Sequence, residues 1–315
     1  MIPAASIGLL AAVVTVVIWT SFIVIARASA GLNLLPLDIA WLRIVGASTV
    51  LLPWSLWLVR RNRTARTSSS LGGLSPLSWR MTALVGFFGG LLYAVLAYAG
   101  FFFAPAAHAA VLMPGSLPLW TTLLAMLLLG ERPGPARMLG LACILAGGLL
   151  VGGASLLKAF DGGEVWKGDL LFMGAALCWS VYSVLVRRHA LDPVHTTMAI
   201  TAFACVSFVP LYAIGAWQGW VPSQLGHAPV SELLFQAAFQ GVGSVVISGI
   251  TFTLMIRHFG PVRSTMITAL VPGLSALGAV AVLGEPLSAN LLLGLALVTL
   301  GIVFGVRPAP ARIAG

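Results

Sequence analysis

Arg43, His108 and a handful of tyrosines and tryptophans are the residues here whose types could recognise a solute, because nearly everything around them is apolar. A neutral imidazole in such surroundings can hydrogen-bond an amine or a carboxylate, and a titrating one can couple binding to pH. The structural alternative for His108 is a helix-end histidine bonded to a neighbour, since Pro105 closely precedes it. Arg43 lies about a turn and a half into an apolar segment, where a central charge costs roughly 2.5–3.5 kcal/mol. It needs either an anion, such as a carboxylate on the solute, or a route toward the interface beside Asp38. The shallow depth favours the second. Tyr98, Trp19, Tyr93, Trp120, Trp179 and Tyr182 each combine a flat apolar face with one polar handle, which suits a planar substrate but also suits anchoring at a membrane interface. Trp54, Trp57, Trp217 and Trp220 read as such anchors.

Catalytic chemistry has little to work with. The apolar segments contain no HExxH, no paired carboxylates and no GxSxG elbow, and the chain has no GxxxxGK[ST] loop. Cys143, Cys178 and Cys205 form no CxxC pair and are expected to pack in helices. The expectation is a protein that is not an enzyme and needs no metal or cofactor.

The elements that must position these side chains are membrane spans. Hydrophobic residues make up 59% of the 315 and charged ones 8%, against ~25% charged in a soluble domain. Cutting the apolar stretches at charges and turn signals predicts ten helices, at 7–27, 37–58, 81–103, 105–129, 138–157, 169–187, 195–216, 234–256, 264–283 and 288–306. The net charge of +9 is then a topology signal and no mark of nucleic-acid binding. Arg60, Arg61, Arg63, Arg66, Arg80, Arg132, Arg137, Arg187, Arg188, Arg257, Arg263, Arg307 and Arg312 fall on one side; Arg27, Lys158 and Lys167 fall on the other. The positive-inside rule puts both termini in the cytoplasm, with the chain in the cell membrane.

The two halves also repeat. WTSFIVIAR (19–27) aligns with WSVYSVLVR (179–187), PLWTTLLAMLLLGE (118–131) with PGLSALGAVAVLGE (272–285), and GLACILAGGLLVG (140–152) with GLALVTLGIVFGV (294–306). Five helices per copy is odd, so the second copy must enter the membrane inverted, and equivalent loops should carry opposite charge bias. The loop at 59–80 has five arginines and its counterpart at 217–233 has none. The chain therefore divides into units 1–157 and 158–315. Inverted five-helix repeats are an architecture of secondary transporters, with the site near mid-membrane between the halves.

These motifs resemble the drug/metabolite transporter superfamily, in its ten-helix branch built from two EamA-type units. The resemblance rests on the W[ST] of helices one and six, PLDIAWLR in helix two, and the P…LLLGE and P…AVLGE ends of helices four and nine. Within that branch it extends to YddG-type exporters of aromatic amino acids. It implies a basket of helices in which one, three, four, six, eight and nine line a central cavity, placing the six aromatic candidates around it. On that reading Pro114, Gly115 and Pro118 in helix four, and Pro272 and Gly273 in helix nine, are kinks that shape packing, gate, or face the substrate. The expected function is export of small metabolites, above all aromatic or neutral amino acids, by alternating access between the two repeats of a monomer or weak homodimer in the lipid bilayer. A proton-coupled drug antiporter is the alternative, weakened by the lack of a central carboxylate; an intramembrane enzyme or a channel ranks lower.

Overall fold

In a computed structural model that describes residues 4–62, 69–131, 133–158, 163–286 and 288–306, the chain is all-helical. Ten helices follow in order among the described residues: α1 (Ala4–Ser29), α2 (Pro36–Arg61), α3 (Trp79–Phe103), α4 (Ala106–Leu129), α5 (Pro135–Lys158), α6 (Val165–Arg188), α7 (Pro193–Trp217), α8 (Val230–Phe259), α9 (Pro261–Leu283) and α10 (Ala289–Val306). All ten expected helices form, each extended by a few residues at one or both ends except α4 and α10, whose starts shift by one. Eight are long and apolar enough to cross a bilayer, and α5 and α10 contribute the shorter apolar stretches Pro135–Val151 and Ala289–Phe304. Among the described residues there is no strand, only an isolated bridge between Ser70 and Ser75. Arg63, Arg66, Arg132, Arg307 and Arg312 of the orientation count lie outside the described residues.

The prolines of α4 and α9 act at breaks. α4 stops at Leu112, turns through Met113–Ser116 and restarts at Leu117; α9 tightens into a 3₁₀ turn at Thr268–Leu270 and restarts at Val271. Pro118 and Pro272 are each the second residue of the restarted segment, where the missing N–H would have no intrahelical acceptor anyway. The carbonyl four residues before each proline is still satisfied, because the residue preceding the proline donates to it instead: Leu117 N to Pro114 O at 3.3 Å, and Val271 N to Thr268 O. Hydroxyls help, with Ser116 Oγ donating to Leu112 O and Thr268 Oγ1 to Thr265 O. The same device thus occurs once in each half, in a medium where an unpaired carbonyl costs several kcal/mol. Both helices then end at a left-handed glycine, Gly130 at φ 67° and Gly284 at φ 66°.

Backbone contact between α2 and α8 sets the interior. A Cβ on Gly46 would sit 2.1 Å from Ala237 O, and one on Gly241 2.6 Å from Ala47 N, so only glycine allows the two helices this close. α8 has a π-helical stretch over Ala237–Ile247 at this crossing, and its half-equivalent α3 has one over Phe87–Leu91. Extra residues per turn re-aim the side chains that follow. α5 and α10 also meet at a glycine, with a Cβ on Gly147 of α5 falling 2.6 Å from Gly294 O of α10. Gly46→Val is expected to destabilise the protein by about 3 kcal/mol or more through overpacking against backbone, seen as an early thermal transition of the detergent-solubilised protein.

Candidate functional site

The α2–α8 contact brings Arg43 of α2 against a polar stripe on α8. Gln236, Gln240, Ser244 and Ser248 recur every four residues, all are buried, and together they meet three helices, α1, α2 and α3. Gln236 Nε2 donates to Ser29 Oγ at 2.6 Å, Tyr98 OH to Gln240 Oε1 at 2.9 Å, Arg43 Nη1 to Ser244 Oγ at 2.8 Å, and Trp19 Nε1 to Ser248 Oγ at 3.3 Å. Arg43 also donates to Tyr98 OH at 3.4 Å, and its guanidinium lies 5.6 Å from the centre of the Phe22 ring. The side chain is 7% exposed, and among the described residues no carboxylate pairs with it.

This arrangement overturns the expectation that Arg43 reaches toward the interface beside Asp38. Asp38 is fully enclosed and engaged elsewhere, accepting from Leu35 N at 2.9 Å, Ser223 Oγ at 2.7 Å, Gln224 N at 3.0 Å and the Tyr212 hydroxyl. It ties the start of α2 to the end of α7 and the segment that follows. The five-residue separation turns the two charges of α2 to different faces, so one closes an end and the other enters the core.

Beside Arg43 the aromatics form a connected group centred on Trp179. Its ring lies 4.7 Å from Tyr93, 5.0 Å from Tyr182, 5.5 Å from Phe252 and 5.6 Å edge-on from Trp19. Tyr182 OH is bonded to Thr253 Oγ1 at 2.6 Å, whereas Trp179 Nε1 is buried without a partner among the described residues. Two narrow cavities meet at Trp179. One, about 30 Å³, is bordered by Arg43, Ser244, Tyr182 and Thr201, whose hydroxyl is unpaired; the other, about 20 Å³, is bordered by Trp19, Tyr93, Met113 and Pro114. Each has room for a water or two, far short of the ~300–1,000 Å³ of a pocket holding a drug-sized ligand. The interior is closed around the site and must widen to admit a solute.

Of the residues singled out by sequence, Arg43, Trp19, Tyr93, Tyr98, Trp179 and Tyr182 come together here, joined by Pro114. Trp120 borders neither cavity, and its indole N–H is buried and unpaired. Pro118, Pro272 and Gly273 lie at the restarts of α4 and α9. His108 stands apart and matches the helix-end alternative: it is the third residue of α4, with Nδ1 2.9 Å from Asp169 Oδ1 of α6. His108 borders a larger recess of about 590 Å³ at the end of the bundle, shared with Arg27 and Glu285. The α8 stripe went unnoticed in the sequence, although its four-residue spacing of polar side chains inside an apolar helix was a readable signal. Trp54, Trp57, Trp217 and Trp220 are exposed, as expected of anchors.

The EamA-like transporter family matches the chain twice, over residues 6–153 and 166–307. The uncharacterized transporter YyaM of Bacillus subtilis is 25% identical over 231 residues, 73% of this chain and 72% of that protein. The aromatic amino acid exporter YddG of Ancylobacter novellus is 27% identical over 249 residues, 76% of this chain and 75% of that one. An uncharacterized transporter of Archaeoglobus fulgidus is 25% identical over 239 residues, 74% and 75% of the two chains. A solved crystal structure at 24% identity superposes with a TM-score of 0.60 over 95% of this chain and 96% of its own, which establishes the shared fold.

Asp38→Asn would set an amide N–H₂ against a ring of donors. A loss of about 2–4 kcal/mol is expected, measured by chemical denaturation in detergent, with the apparent substrate affinity of the surviving folded fraction unchanged.

Proposed function

The chain belongs to the EamA-like transporter family of the drug/metabolite transporter superfamily and is a multi-pass membrane protein; from that premise we propose that it exports small metabolites, above all aromatic or neutral amino acids, by alternating access between units 1–157 and 158–315. One observation carries the substrate class. Arg43 is a buried, permanently charged group with only neutral partners, at the edge of a cavity. A cation so placed is costly unless an anion completes it, and the α-carboxylate of an amino acid supplies one. The unpaired Thr201 hydroxyl on the same cavity can accept from the ammonium group. The substrate side chain then lies against Trp179, Tyr93 and Trp19, which suits an aromatic ring.

The name of the Ancylobacter relative supports the same class. Movement of the halves would widen the two cavities, with the breaks at Pro118 and Pro272 as places where α4 and α9 can bend. Both termini are cytoplasmic in this reading, the protein sits in the cell membrane as a monomer or weak homodimer, and no cofactor or nucleic acid is involved. One feature favours a second reading, a proton-coupled antiporter: His108 borders a recess at the end of the bundle and lies against the Asp169 carboxylate.

The test is uptake of labelled phenylalanine and tryptophan into proteoliposomes, with and without a pH gradient. Saturable flux without the gradient is expected, and flux that appears only with it would favour the antiporter. Arg43→Gln should raise the apparent KM about thirtyfold or more, the scale of a lost charge-assisted hydrogen bond, with Arg43→Lys intermediate. Unlabelled tryptophan should compete far better than tryptamine, which lacks the carboxylate; equal competition would remove Arg43 from recognition.

A further inference from the structure

The repeat places the same contact-forming residues twice. α1 packs against α9, and α6 packs against α4. On the alignment of the halves, Thr20 and Arg27 of α1 correspond to Ser180 and Arg187 of α6, while Ser275 and Glu285 correspond to Thr121 and Glu131. Each helix pair therefore has one hydroxyl couple along its length and one Arg–Glu couple at an end, and the two Arg–Glu couples lie at opposite ends of the bundle.

The structure makes one couple in each pair, and not the same one. Between α1 and α9, Arg27 Nε lies 3.4 Å from Glu285 Oε1. That carboxylate also accepts from Ala106 N at 3.3 Å and Ala107 N at 3.4 Å, and Arg27 Nη1 donates to Phe101 O at 2.9 Å, so α1, α3, α4 and α9 are tied together at this end. Along the same two helices, Thr20 Oγ1 and Ser275 Oγ are both buried and, among the described residues, both unpaired. Between α6 and α4 the pattern reverses. Thr121 Oγ1 donates to Ser180 Oγ at 3.1 Å, while Arg187 is exposed, Glu131 is half-buried, and neither belongs to an ion pair among the described residues.

We infer that Arg27–Glu285 and Arg187–Glu131 are alternating latches, each holding one end of the transporter shut while the other is released. In the opposite conformation Arg187 meets Glu131 and Thr20 meets Ser275, as Arg27–Glu285 and Thr121–Ser180 part. The exchange gives up one ion pair and one hydroxyl contact and gains one of each, so the two states remain close in free energy, as a reversible switch requires. The buried, unpaired hydroxyls of Thr20 and Ser275 are then contacts awaiting the other state. These four charged residues position helices and do not touch substrate; the inference rests on the alternating-access reading above.

The test reads the Glu131 end while disturbing the Glu285 end. Spin labels at Leu128→Cys and Arg188→Cys, with Cys143, Cys178 and Cys205 replaced by serine, report the separation of α4 and α6 by double electron–electron resonance in liposomes without substrate. Glu285→Gln should increase the short-distance population roughly three- to fivefold, the scale of a partly exposed ion pair, and adding Glu131→Gln should reverse the gain. Arg27→Gln makes the same test should Glu285→Gln fail to fold. A merely structural pair would loosen its own end and leave the distant labels unmoved; an unchanged distribution in both variants overturns the inference. No substrate is present, so a protein that shifts as expected but carries no phenylalanine keeps its latches and loses only the substrate assignment.

Discussion

Hydrocarbon offers no water to a polar group, so a backbone carbonyl freed within the ten helices has to be met by the chain itself. The breaks in α4 and α9 show how strictly this holds. Each proline removes a donor, and in each case the neighbouring N–H shifts by one residue to take the carbonyl left behind. Irregular backbone is admitted in mid-membrane only with its hydrogen bonds reassigned. The lining of the second cavity by Pro114 follows from that reassignment, because the turn before the restart faces inward.

The same constraint separates the two charges of α2. Asp38 receives four donors from three parts of the chain and is fully engaged in joining α2 to α7. Arg43 receives two neutral oxygens and an aromatic face, which solvate a guanidinium without neutralising it. A fully satisfied charge belongs to the architecture, whereas one left with its charge uncompensated is where an external anion is worth most. Glycines make this possible: only where α2 and α8 touch through backbone does the short Ser244 side chain reach Arg43.

Inverted repeats share helix pairs and motifs without having to share contacts. The equivalent couples of α1–α9 and α6–α4 are made in complementary fashion, so the near-symmetry of the sequence becomes an asymmetry of the folded state. Packed helix pairs shift between discrete arrangements more readily than they deform continuously. A transporter assembled from two such pairs has its alternative state encoded in the contacts that its other half already makes.

Much of the fold was legible from composition and pattern alone. Apolar runs of about 20 residues broken by charges and turn signals can only be helices in a bilayer, and the spaced Trp-Ser/Thr, Pro and Gly-Glu motifs recur plainly enough to reveal the duplication. The aromatic candidates were legible by type, though type alone could not separate Trp179, at the junction of two cavities, from Trp120, which borders neither. The fate of Arg43 was misjudged because depth along a helix says nothing about which face a side chain takes or what the neighbouring helix presents there. For His108 the sequence left two readings open, and the helix-end one, with Pro105 just ahead of it, is the one that the contact with Asp169 matches. What the amino-acid sequence determined by itself was the number of helices, their repetition and the family, since these depend on hydrophobicity and motif spacing along one dimension. Which charges are paired, which cavity the aromatics share and which of two equivalent contacts is made were decided only by tertiary structure, because each is a distance between helices far apart in the chain.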